Sequence, residues 1–210
     1  MQIVKKKYIY SFCVLVVFCT FSVFSQTKPD ALKMYQAGQY KSAIEVCLNE
    51  IKENPNNLDS YVVLVWALLG DRQYAEALRW AAESKAISQY DPRILESEGE
   101  ANFYLGRNSE AIKSFETYII YAPNGTRLAT VYYFLGEIYL RLKSYARADI
   151  AFSTAVQFNS TSAYWWTRLG YAREQFKEYR YALQAYERAL ALDQNMTDAK
   201  NGRLRVLSQL

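Results

Sequence analysis

Four glutamates, Glu96, Glu100, Glu137 and Glu174, are the residues whose type and spacing come closest to a chemical site. Glu96 and Glu100 stand four apart, which puts both carboxylates on one face of a helix. Acids so placed can act on a glycoside or hold Ca²⁺. The rest of the usual catalytic equipment is absent from the sequence. It contains no His, the commonest general base and metal ligand. It has no glycine-rich phosphate loop and no nucleophile beside a base. Carboxylates at helical spacing are ordinarily a wet helix face. The sequence therefore reads as that of a non-catalytic protein with no cofactor and no metal.

The second resource is aromatic. Aromatic residues make up 16% of the 210 positions, and 19 of them are Tyr. Tyrosine joins an apolar body to a polar tip, so it serves cores and binding surfaces alike. Only 4 Pro and 8 Gly occur, which points to helices rather than to a turn-rich β fold.

The elements that position these groups begin after an apolar N-terminus. Lys5, Lys6 and Lys7 precede "YIYSFCVLVVFCTFSVFS" (8–25), which ends in Val23-Phe24-Ser25. This has the layout of an export signal, residues 1–25, cut before Gln26. The alternative is an uncleaved membrane anchor, since 18 apolar residues barely span a bilayer. The three lysines are the only charges in this stretch, so removing them lowers the net charge from +4 to +1. A near-neutral chain carries no nucleic-acid footprint. Cys13 and Cys19 leave with the signal, and the remaining Cys47 has no partner for an intramolecular disulfide.

Beyond the signal the sequence repeats with a period of 34. The clearest copy, 129–162, holds Tyr132, Leu135, Gly136 and Tyr139, then Ala148, Phe152 and Ala155. The following copy, 163–196, holds Trp166, Leu169 and Gly170, then Ala182, Tyr186 and Ala189. Earlier copies cover 92–125 (Gly99, Ala111, Phe115), 58–91 (Val65 in place of Gly) and a truncated 26–57 (Ala43, Cys47). Three residues, Thr126-Arg127-Leu128, are inserted before the fourth copy. Residues 197–210 resemble a lone first helix, capped by Thr197 or Asp198, with Leu204, Val206, Leu207 and Leu210 on its buried side.

This pattern resembles the tetratricopeptide repeat over nearly the whole chain after the signal. The resemblance implies an all-α, right-handed superhelical solenoid of helix-turn-helix repeats with a C-terminal capping helix. Independently of it, mid-helix Gly136 and Gly170 make sense where a neighbouring helix must approach closely. Ala148 and Ala182 are expected to meet those glycines. Cys47 occupies the interior position filled elsewhere by Phe115, Phe152 and Tyr186, and is expected to pack as a small hydrophobe.

The resemblance further implies that the first helix of each repeat lines a concave surface. Carried onto this sequence, the groove positions include Trp66, Glu96, Glu100, Phe103, Tyr104, Tyr133, Glu137, Tyr164, Tyr171 and Glu174. They also include Val62, Leu140 and Thr167. Aromatics with central carboxylates suit a peptide or protein segment of basic and apolar character. A basic clamp for acidic tails, as in the chaperone-binding members, does not fit these acids. The expected role is a scaffold or adaptor of the cell envelope, exported and periplasmic in a bacterium. The alternatives are a small-solute-binding subunit, or an assembly factor held to the membrane by residues 8–25.

Overall fold

Each stretch between turns carries apolar residues at helical spacing, and each becomes a helix. The computed structural model describes residues 29–210, so the expected signal lies outside the described residues. Those residues form α1 (Ala31–Gln36), α2 (Tyr40–Glu53), α3 (Leu58–Gly70), α4 (Tyr74–Ser84), α5 (Pro92–Tyr104) and α6 (Asn108–Tyr121). They continue as α7 (Leu128–Arg141), α8 (Tyr145–Phe158), α9 (Ala163–Gln175), α10 (Tyr179–Leu192) and α11 (Thr197–Leu207). Consecutive helices pack as five hairpins, and α11 closes the stack against α10 and α9. No strand occurs among the described residues.

One turn geometry makes every hairpin. Its middle residue is left-handed: Gly38, Arg72, Gly106, Lys143 or Lys177. The next residue donates its N–H to a carbonyl five back, as Ser144 does to Tyr139 at 2.8 Å and Glu178 to Arg173 at 2.9 Å. This satisfies a carbonyl that the helix end leaves open. Glycine adopts the geometry freely at two of the five sites, and Arg and Lys are held in it at the others.

Inside the hairpins, small residues admit large ones. A Cβ on Gly136 would lie 2.6 Å from the Phe152 ring, and one on Gly170 would lie 2.7 Å from the Tyr186 ring. Gly99 faces Phe115 in the same way. The glycines therefore receive the aromatic residue 16 positions on. Ala148 and Ala182, expected against the same glycines, are fully buried. The departures follow the same size rule. At this offset the second hairpin pairs Val65 with Ala81, and the first pairs Ala31 with Cys47, all four buried in one cluster. Burial pushes the Cys47 thiol up to about 12, which removes its reactivity.

The stack curves because its two sides differ. First helices touch one another, α1 on α3, α3 on α5, α5 on α7 and α9 on α11. Successive second helices among the described residues form no comparable interface. First helices therefore line the tighter, concave side of the superhelix. At the far end, α11 buries Ala199, Gly202 and Val206, whereas Leu204 is 64% exposed and Leu207 and Leu210 are also exposed. The reason is the Tyr186 ring, which lies between Gly170 and Gly202 and directs the small face of α11 inward. No side chain caps its start, where Met196 precedes Thr197.

Candidate binding groove

The concave side carries the groove positions, and its acids have been spent on the chain itself. Arg127 Nη2 donates to Glu96 Oε1 at 2.8 Å, and Arg127 Nε donates to the same oxygen at 3.1 Å. Arg168 grips both oxygens of Glu137, with Nη2 to Oε2 at 2.7 Å. Arg205 does the same to Glu174 at 2.6 and 2.8 Å. Each arginine lies 31 residues beyond its acid. Arg93 Nη1 donates to Asp59 Oδ1 at 2.7 Å, adding a rung between α3 and α5. Each rung joins a first helix to the next first helix, or to the residue just before it. The pairs with arginines about half exposed contribute roughly 0–1 kcal/mol each by general experience with surface pairs. Their consequence is electrostatic, because Glu96, Glu137 and Glu174 no longer offer free negative charge.

Glu100 differs from the other three. It is partly buried and makes no ion pair or hydrogen bond among the described residues. Burial, followed by repulsion from Glu96, raises its carboxyl to about 7, with Arg127 working in the other direction. Glu174 shows the opposite balance. Burial opposes its charge, but hydrogen bonds from Arg205 and Tyr186 outweigh that and hold it below the usual range.

Glu96 and Glu100 come together with Trp66 around a pocket of about 500 Å³. Tyr35 of α1, Leu69 of α3, Arg93 of α5, Tyr118 and Ala122 at the end of α6, and Gly125-Thr126-Arg127 complete its wall. Tyr35 and Trp66 set their rings 5.8 Å apart at one side. The Tyr118 hydroxyl accepts the Arg127 N–H at 3.2 Å, which seats the inserted segment.

The remaining positions do not join that pocket. Tyr104 is 49% exposed and stacks on Tyr74 at 4.8 Å. Tyr164 is 45% exposed and lies 6.2 Å from Tyr133. Tyr133 is half-buried, stacked on Trp165 at 5.3 Å, so that α7 and α9 are wedged by rings. Desolvation, then the nearby Glu137, raises the Tyr133 phenol well above its ordinary value. Tyr171 is half-buried with the Arg168 guanidinium 5.4 Å above its ring. Phe103 is a core residue, packed on Phe134 at 4.8 Å and covered by Arg141 at 3.7 Å. Val62, Leu140 and Thr167 are likewise buried.

The residues that sequence reasoning passed over are Tyr35, Tyr118, Arg127 and Arg168. Tyr35 sits in the truncated first repeat and Arg127 in the insertion, where the 34-residue frame assigns no position. The signal available for the three Glu–Arg rungs was their constant separation of 31. Among the described residues no cluster of three or more His, Cys, Asp or Glu is arranged to hold a metal. No helix of those residues is long and apolar enough to cross a membrane.

A stack of helical hairpins with first helices inside and glycine–aromatic contacts within the last three hairpins defines a helical-repeat solenoid. A tetratricopeptide-repeat family profile matches residues 97–163. The chain is 27% identical over 157 residues to anaphase-promoting complex subunit 3 of Schizosaccharomyces pombe, a match covering 75% of this chain. It spans 23% and 12% of the lengths of the two curated relatives it matches. Among solved structures it resembles Pseudomonas aeruginosa PilF, with a TM-score of 0.75, 17% identity, and 85% and 80% of the two chains covered. It also resembles YrrB, described as having an unusual peptide-binding site, with a TM-score of 0.70 and 17% identity over 79% and 84% of the chains. Residues 97–163 match the tetratricopeptide-repeat family, and the hairpins on either side have the same helical-repeat fold.

Proposed function

We propose that this chain is a non-catalytic scaffold that holds a protein or peptide segment along its concave side. The observation that carries this reading is the presence of large aromatic side chains left accessible on the first helices. Tyr104 and Tyr164 are about half exposed, the first stacked on Tyr74 and the second flanked by the tilted Tyr133 ring. Rigid aromatic area of this kind gives binding surface at small entropic cost. The internal neutralisation of Glu96, Glu137 and Glu174 supports binding further, since desolvating a paired carboxylate leaves no new charge unsatisfied. The peptide-binding site described for YrrB lends support by fold likeness alone. We place the protein in the cell envelope, on the strength of its lysine-led apolar N-terminus.

The test is in-cell crosslinking and affinity capture with the native N-terminus, comparing the unaltered chain with Tyr104→Ala/Tyr164→Ala. A specific partner captured by the first and lost by the second is the expected result. Retention of the same partners by the double variant would move the interface off the concave side.

A further inference from the structure

We infer that the pocket between Tyr35, Trp66 and Glu100 is a subsite for one cationic side chain, lysine or arginine, of the bound segment. This rests on the scaffold reading and specifies its partner's chemistry. The argument is a charge inventory of the pocket wall. Two arginines line it, and both are engaged. Arg127 is held by Glu96. Arg93 is held by Asp91 at 2.9 Å and by Asp59 at 2.7 Å. Glu100 alone faces the pocket without a cation, so the wall carries one uncompensated carboxylate. An anionic ligand finds no unpaired cation there and meets that carboxylate.

The shape agrees with the charge. Leu69, Ala122 and the Trp66 ring give an apolar flank along which an alkyl stem can lie. The Tyr35 and Trp66 ring faces attract a cation that has been partly desolvated. A cation seated at Glu100 replaces a carboxylate burdened by burial with an ion pair, which rewards binding twice. The titratable and charged groups around Glu100 are Tyr35 from α1, Glu96 and Tyr104 from α5, and Arg127 from the inserted segment. Of these only Arg127 is a cation, and Glu96 occupies it.

The test uses the full chain labelled with 5-fluorotryptophan and kept soluble in a neutral detergent. The Trp66 resonance is assigned by Trp66→Phe. The probes are n-butylammonium, n-propylguanidinium and the neutral 1-pentanol, titrated at pH 8. At least one cation is expected to shift the Trp66 signal saturably, with 1-pentanol at least tenfold weaker. Glu100→Gln should lose at least tenfold of the cation affinity, and the Trp165 and Trp166 signals should stay unmoved. The tighter of the two cations names the residue. Equal response to pentanol, equal affinity in Glu100→Gln, or no response at Trp66 would overturn the subsite. The two readings fail separately. A partner lost in Tyr104→Ala/Tyr164→Ala while no cation binds removes the subsite alone. Cation binding with unchanged partner capture removes the concave-side scaffold alone.

Discussion

Glu100 illustrates what burial does to a single group when no partner is supplied. Its folded value of about 7 lies above the ordinary 4.5, so between those two values the folded chain keeps a proton that the unfolded chain has released. Stability therefore falls as pH rises through this window, and the loss is complete above 7. Glu100→Gln keeps the shape and removes the charge. It is expected to raise stability at pH 8.5 by on the order of 1–3 kcal/mol, a few degrees in Tm. The gain should vanish at pH 4.5, where the native side chain is also neutral. Thermal melts of both chains at the two pH values check this, and a gain that persisted at pH 4.5 would mean that another property of the substitution acts. Glu100 was legible in the sequence as a groove acid by family position. That Glu96, Glu137 and Glu174 would be neutralised was not. Their arginines sit at different places within their repeats, so superposing the copies does not align them.

Within one hairpin the governing quantity is the combined size of two residues 16 apart. Gly99 with Phe115, Gly136 with Phe152 and Gly170 with Tyr186 put the volume on the second helix. Val65 with Ala81 moves it to the first helix, which explains how the second repeat tolerates the loss of its glycine. Gly136→Ala forces a methyl against the Phe152 ring and is expected to cost about 1–3 kcal/mol by overpacking. Gly136→Ala with Phe152→Leu should recover at least half of that loss. Urea unfolding of the two variants measures it, and an absence of rescue would show that the strain lies elsewhere. Helices and hairpins were readable because the apolar spacing and the turn residues are local. That an aromatic ring would lie against each glycine was not, because alanines and aromatics both recur in register, and only side-chain direction places the ring there. The apolar face of α11 was misassigned for a related reason. Leucine spacing places Leu204 and Leu207 on a face, while the bulk of Tyr186 decides which face points inward.

Across the whole molecule, contacts run only between neighbours in the stack, so cooperativity depends on every junction. The insertion 126–128 marks the junction between the third and fourth hairpins, and Phe134 bridges it. Its ring lies 4.8 Å from Phe103 and 5.6 Å from Phe115. Arg141 adds a bond from Nη1 to the Phe103 carbonyl at 2.9 Å. Phe134→Ala removes this ring from the junction, at a cost of about 3–5 kcal/mol. Tryptophans report on each side separately, Trp66 and Trp80 before the junction and Trp165 and Trp166 after it. In variants retaining one pair at a time, the otherwise unaltered chain should give coincident urea midpoints. In the Phe134→Ala background the midpoints should separate; coincidence there would mean that the two halves remain coupled without this ring. The binding pocket adds a second readout of the same coupling. Glu100 and Trp66 lie before the junction and Arg127 lies within it. Loosening the junction therefore frees Arg127 to leave Glu96, placing a mobile cation beside Glu100 and weakening n-butylammonium binding even where the chain stays folded. If affinity held steady while the midpoints separated, the Glu96–Arg127 pair would be positioned by α5 and α6 alone.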